Sequence, residues 1–170
     1  PTHSFTHTLT YKFGNTTGTI AAKTTSTSVS WTPAVSLANQ IPSTTSGSCT
    51  ITCDTYSGST KIGSKTCTLT LTVPSSVKPT LTSVTASRID ESVPSGWGIY
   101  VQTKSKVKLT INGAAGSNGS TIKSYSISGG GYSGTASTLT TGFLNSSGTI
   151  TFTATVTDSR GRVSDAKTVS

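Results

Sequence analysis

The residues of this chain that could do chemistry are few and scattered. Its carboxylates number five, Asp54, Asp90, Glu91, Asp158 and Asp165. Only Asp90 and Glu91 are adjacent, and neighbouring side chains on a strand point to opposite faces, which makes the pair unsuited to shared acid–base work. No serine lies in a nucleophile elbow, and the glycines at 129–131 lack the lysine of a phosphate loop. We therefore expect no enzyme activity, no catalytic residue and no cofactor.

The two histidines do not have the spacing of a metal site. His3 and His7 are four residues apart on a segment with strand-like alternation, which separates them by roughly 13 Å. No second cysteine pair or histidine cluster completes a tetrahedral zinc set. The sequence therefore predicts no bound metal.

Three cysteines raise the question of redox state. Cys49 and Cys53 share one face of a predicted strand but lie about 13 Å apart, too far for a bridge to each other. Cys67 shares a face with Leu69, Leu71 and Val73, just as Cys49 and Cys53 share one with Ile51, so all three are predicted to face the core. An odd number argues against a disulfide framework and favours reduced thiols. The alternative is one bridge from Cys67 to Cys49 or Cys53 across a hairpin.

The main electrostatic feature is a formal net charge of +8, with Lys104, Lys106 and Lys108 in alternation on one predicted strand. The alternation places their ammonium groups on the solvent face of that strand. We interpret them as providing solubility and protecting an edge strand, which lysine commonly does. The alternative is attraction to an anionic cell envelope or to DNA. DNA is the weaker option because no aromatic residues are interleaved with the lysines, so we expect no nucleic-acid partner.

The secondary structure that carries these residues is predicted to be β-strand, because Thr or Ser alternates with an apolar residue along most of the chain. A period of two places alternate side chains on opposite faces, as in half-buried antiparallel strands. Apolar residues make up 31% and charged residues 11% of the chain, which suits thin sheets with Thr-rich outer faces. The predicted fold class is all-β, with two tandem immunoglobulin-like antiparallel β-sandwiches.

Two prolines, Pro74 and Pro79, interrupt the alternation and form a short, stiff connector. The predicted domains are an N-terminal β-sandwich at residues 1–77 and a C-terminal immunoglobulin-like β-sandwich at residues 78–170. The first is predicted to have strands near residues 5–13, 18–22, 26–31, 48–56 and 64–73. The second is predicted to have strands near residues 81–88, 98–102, 105–111, 122–128, 138–144, 149–157 and 164–169.

Other segments give more local predictions. Trp31 has the largest buriable area in its half and is predicted to lie at the centre of the first core. The stretch between Pro33 and Pro42 is predicted to form a helical turn or two. Residues 129–131 are predicted to form a turn, and residues 158–162 a hairpin between the last two strands. We interpret the arginines of that hairpin as structural rather than as a recognition loop.

Several motifs carry a resemblance to known proteins. The pieces are SFTHTLTY at 4–11, VSWTP at 29–33, LANQIP at 37–42, CTITC at 49–53, WGIYVQ at 97–102 and DSRGR at 158–162. The first half resembles a family of siphovirus minor structural proteins of the tail tip. The second half is similar to immunoglobulin-like modules of phage tail proteins. The resemblance implies a virion component and supplies no catalytic or binding residues.

The functional hypothesis is a structural module of a phage tail, baseplate or tail-fibre protein, acting as spacer and assembly element and contributing to host attachment. Its partners would be other tail proteins, copies of itself or host cell-wall polysaccharide. It would be located in the virion after assembly in the host cytoplasm. No apolar run is long enough to span a bilayer, so no membrane partner is expected.

Two alternatives remain at this point. One is a bacterial cell-surface adhesin or stalk. The other is a carbohydrate-binding module, for which the candidate aromatic residues are Trp97, Tyr100, Tyr125 and Tyr132. Of these, Trp97 and Tyr100 could equally belong to the core, whereas Tyr132 lies beside a glycine-rich turn and is the candidate for exposure.

Overall fold

The computed structural model describes residues 4–89 and 91–170 as an all-β protein with antiparallel sheets. His3 and Asp90, which the sequence offered for chemistry, lie outside the described residues. The chain divides into two compact units, Pro1–Ser76 and Val77–Ser170. The sequence predicts the domain boundary after Val77, within the proline-rich connector, and the boundary between the two units lies one residue earlier, after Ser76. The described part has no helix with the length and hydropathy of a membrane span.

The first unit contains one four-stranded sheet in the order β2-β1-β3-β4. Its strands are β1 (Phe5–Phe13), β2 (Thr16–Thr24), β3 (Ser46–Ser57) and β4 (Thr60–Thr72). No second sheet is present among its described residues, so a sandwich is not confirmed here. The strand predicted at residues 26–31 is wrong. The Ser26 hydroxyl donates to the Ser28 carbonyl at 2.6 Å, a local bond that competes with ladder pairing.

The core of the first unit is small. It consists of Phe13, Leu37, Cys49 and Ile51. Leu37 comes from a 3-10 helix at Val35–Gln40, which confirms the turn predicted between the two prolines. Trp31 is not the centre of this core, contrary to the prediction. It is half-buried and stacks on Tyr11 with 4.8 Å between ring centroids, because it lies on an irregular segment rather than on an inward-facing strand position.

The second unit contains two sheets, of order β5-β6-β9 and β11-β10-β7-β8. Their strands are β5 (Ser83–Ile89), β6 (Lys106–Asn112), β7 (Ile122–Gly129), β8 (Tyr132–Gly134), β9 (Thr138–Thr140), β10 (Phe152–Asp158) and β11 (Lys167–Val169). The strand predicted at residues 98–102 is wrong. Gly98 there has φ of 65°, a left-handed conformation that interrupts an extended strand.

Both sheets of the second unit contribute to one apolar core. Leu109 on β6, Ile127 on β7 and Val156 on β10 are fully buried within it. Along β10 buried residues alternate with half-buried ones, as the two-residue rhythm predicts. The turn at residues 129–131 joins β7 to β8 and is confirmed, as is the turn between β10 and β11, where the amide of Asp158 donates to the Arg162 carbonyl at 2.9 Å.

Candidate functional site

The three lysines of the predicted basic row have different surroundings. Lys104 is exposed in the loop before β6, and Lys108 is exposed on β6. Lys106 is partly buried, forms an ion pair with Glu91 at 2.5 Å, and places its ammonium 4.8 Å from the centroid of the Phe143 ring. β6 pairs with β5 on one side and β9 on the other. The predicted role in protecting an edge strand is therefore wrong, because β6 is the central strand of its sheet.

From the sequence, Tyr132 was the aromatic residue of the second unit expected to be exposed, but other aromatic residues are more exposed than it is. Tyr132 is half-buried against the core, and its hydroxyl donates to the Phe143 carbonyl at 2.8 Å. Tyr125 also packs against that core. Trp97 and Tyr100 are instead 60% and 51% exposed. Both lie between β5 and β6, so this loop is the candidate functional region of the unit.

The loop between β5 and β6, residues 91–105, is held in a defined shape. It contains a short 3-10 helix at Ser95–Trp97, which ends at Gly98 in the left-handed conformation. The Arg88 guanidinium donates to the carbonyl of Ser95 at 3.2 Å and to that of Ile99. A charged side chain at the end of β5 therefore braces the loop that carries the two exposed aromatic residues.

A second loop, residues 141–151 between β9 and β10, is hydrogen-bonded to the first. The amide of Thr103 donates to the Leu144 carbonyl at 2.7 Å, and the Gln102 side-chain amide donates to the Asn145 carbonyl at 2.7 Å. The hydroxyl of Ser105, which is fully buried, accepts from the Val101 amide at 2.8 Å. The bonds of Thr103 and Gln102 fix the two loops against each other, the Ser105 bond holds the first loop in shape, and a groove lies between the loops.

The groove has a volume of about 380 Å³, within the range of roughly 300–1,000 Å³ of small-ligand clefts. Its lining residues are Ala86, Tyr100, Val101, Gln102, Val107, Leu144, Ser146, Gly148, Thr149, Ile150, Phe152 and Ser170. None of their side chains is charged. The floor is apolar and comes from both sheets, while amide and hydroxyl groups line the rim. Such a cleft suits a small neutral ligand with one apolar face.

Tyr100 was among the aromatic residues predicted as candidates for carbohydrate binding, whereas Gln102, Ser146 and Thr149 were not predicted as site residues. Two signals could have shown the first loop. Pro94, Gly96 and Gly98 mark a loop there, and loops run over the protein surface, which favours exposure of the aromatic residues that this loop carries. The sequence NSSG at 145–148 marks a turn in the second loop, but no local pattern places that turn beside the first loop, because the two meet only through tertiary contacts.

The described carboxylates have structural partners. Asp54 pairs with Lys61 at 2.8 Å and Asp165 with Lys78 at 2.6 Å. The hydrogen bond from Lys61 lowers the pKa of Asp54, with a further contribution from the Ser64 hydroxyl. Asp158 is fully buried in its turn. Within residues 4–89 and 91–170 no group of three metal-ligating side chains is close enough to hold an ion.

The three cysteines are free thiols with different exposure. Cys49 is buried, Cys53 is half-buried and Cys67 is exposed. The prediction that all three face a core is wrong for Cys67. This residue pairs with Ile51 across the β3–β4 ladder and so shares its face, but β4 is the outermost strand and nearly all of its residues are exposed.

We expect these thiols to react with maleimide at different rates in the folded protein. Cys67 should be modified first and Cys49 only on unfolding, because Cys49 is inaccessible and burial raises its pKa, which lowers its thiolate fraction. Mass spectrometry of peptides over a time course measures the order. Equal rates for Cys49 and Cys67 would contradict this arrangement of β3 and β4.

Comparison with known proteins adds one finding. A family model described as siphovirus protein of unknown function (DUF859) matches residues 1–170. No curated protein sequence matches the chain at a significant level.

Proposed function

Because the chain belongs to this siphovirus family across residues 1–170, we propose that it is a non-enzymatic structural module of the phage tail. Within the tail it would belong to the tip, the baseplate or a fibre. The observation that carries this proposal is the match over both compact units. A bacterial surface stalk is the less favoured function, because the matching family is viral.

The architecture supports a role in spacing and assembly. Both units are antiparallel and rich in Thr and Ser, and the carboxylates that the structure describes are ion-paired or buried rather than grouped for catalysis. For the second unit we propose an immunoglobulin-like sandwich, since its four-stranded and three-stranded sheets share one core. Such modules usually extend a structure and present loops at their ends.

We further propose that the two hydrogen-bonded loops of the second unit contact the host. Exposed large apolar side chains concentrate there, with Trp97, Ile99 and Tyr100 each more than half exposed. Exposed apolar patches of this kind mark interaction sites. The partners would be other tail proteins or copies of this chain along the module, and cell-wall polysaccharide at the loops. Nucleic acid and membrane are not among the proposed partners.

The proposal is tested on purified virions. Antibodies against residues 77–170 should label the tail in negative-stain electron microscopy, and mass spectrometry of the same particles should detect peptides of the chain. Labelling of the capsid, or absence of the peptides from virions, would reject the tail assignment. Peptides in the wall fraction of uninfected cells would favour the bacterial stalk instead.

A further inference from the structure

We infer that the groove between residues 100–102 and 144–150 is a saccharide site that binds one face of a neutral sugar ring against Tyr100. The inference rests on the host-attachment role proposed above and names the ligand class of that region. Three observations support it: the shape of the groove, the exposure of one aromatic side chain at the mouth of the groove, and the polar groups on the rim of the groove.

The aromatic side chain has the required placement. Tyr100 lines the groove and is 51% exposed, so its side chain is shared between the cleft and solvent. A sugar ring has a face of C–H groups and a periphery of hydroxyl groups. An aromatic side chain with an apolar body and a polar tip complements such an amphipathic ring. The apolar side chains of Leu144 and Ile150 extend this surface into the groove.

The rim provides hydrogen-bonding groups for the hydroxyls of a sugar. Gln102 uses its Nε2 to hold the Asn145 carbonyl, which orients the side chain and leaves Oε1 as an acceptor. The hydroxyl of Ser146 accepts from the Gly148 amide at 3.1 Å and donates to the Gly148 carbonyl at 3.3 Å, so its position is fixed and its second lone pair is left as an acceptor. Thr149 adds a third polar side chain to the lining. Oriented groups of this kind give a mainly apolar cleft its specificity.

The charge distribution favours a neutral ligand over an anionic one. The lining has no charged side chain, and the nearby Lys106 is paired with Glu91. Binding in the groove should therefore depend little on salt. A phosphate-bearing polymer attracted by Lys104 and Lys108 would instead be released as ionic strength rises.

The test uses the full chain and an array of neutral glucose, galactose, rhamnose and N-acetylhexosamine oligosaccharides. We expect binding to at least one of them, and we expect Tyr100→Ala to weaken it by about tenfold or more. Ile99→Ala is the matched control, because Ile99 is 55% exposed beside Tyr100 but does not line the groove. Equal losses in both variants would overturn the groove site in favour of a general apolar patch.

A second variant blocks the groove without removing a side chain. A Cβ built at Gly148 meets only the Ser146 hydroxyl, at 3.9 Å, so Gly148→Trp should fold and should abolish binding. Gly63→Trp, at an open position in the first unit, should bind as the parent does. Unchanged binding by both Gly148→Trp and Tyr100→Ala would overturn the inference.

Two further outcomes separate this inference from the proposed function. Absence of binding to every saccharide, or binding that 0.5 M salt abolishes, would overturn the neutral-sugar site. The tail assignment would still stand if the virions carry the protein. Conversely, saccharide binding by a chain that virions lack would leave the site intact and reject the tail role.

Discussion

Replacing Asp158 with alanine is expected to destabilise the second unit by about 3 kcal/mol. Asp158 is fully buried, and its Oδ1 accepts from the amides of Arg160 at 3.0 Å and Arg162 at 2.9 Å. Alanine would leave two amide groups without their acceptor in a buried turn. The Arg160 guanidinium, which donates to the carbonyls of Ser117 and Asn118 at 2.7 and 2.6 Å, would lose the turn that positions it.

Urea unfolding followed by hydrogen exchange of β10 peptides measures this effect. Asp158→Asn retains a side-chain oxygen for the two amides and should lose less stability than alanine. Asp165→Ala is the matched control. Asp165 is exposed, and its ion pair with Lys78 is solvated, so little change is expected. A similar loss in Asp158→Ala and Asp165→Ala would show that the buried turn does not carry this stability.

The second large effect is expected in the first unit. Phe13→Ala should destabilise that unit by about 3–5 kcal/mol, because Phe13 is 2% exposed and is the largest side chain of a core with four buried members. The second unit has its own core and should keep its stability. Hydrogen exchange resolved by peptide should therefore show faster exchange in residues 5–72 and unchanged exchange in residues 83–158.

Phe5→Ala provides the control on the same strand. Phe5 is 46% exposed, so its removal leaves no cavity and should change exchange in the first unit only slightly. If Phe13→Ala accelerates exchange equally in both units, they do not unfold independently. That result would contradict the division of the chain into two separately stabilised units.

Local alternation was sufficient to predict much of the strand structure. The bounds of β1, Phe5–Phe13, agree with the predicted ones, since side chains on an extended backbone alternate between faces whatever the surroundings. The 3-10 helix between Pro33 and Pro42 was also predicted, because proline marks the ends of a segment from within the sequence itself. The wrong strands, at 26–31 and 98–102, are segments where a serine turn or a left-handed glycine interrupts the extended chain.

Exposure, in contrast, depends on which segments cover which faces. Cys49 and Cys67 have the same local alternation, yet one is buried and the other exposed because β4 is an outermost strand. Asp158 follows Val156 by two residues and therefore takes an inward position on β10. Its burial is tolerated only because the amides of the turn bond to its carboxylate.

Residue patterns along the chain predict an antiparallel β protein with a proline-rich junction, and its motifs resemble those of a siphovirus family. Those properties depend only on residues that are close together in the sequence. The exposure of Tyr100 and the groove beside it follow from tertiary contacts and could not be predicted from local sequence. The groove is lined by Gln102 and Ser146, which are brought together by hydrogen bonds between two loops that are distant in sequence.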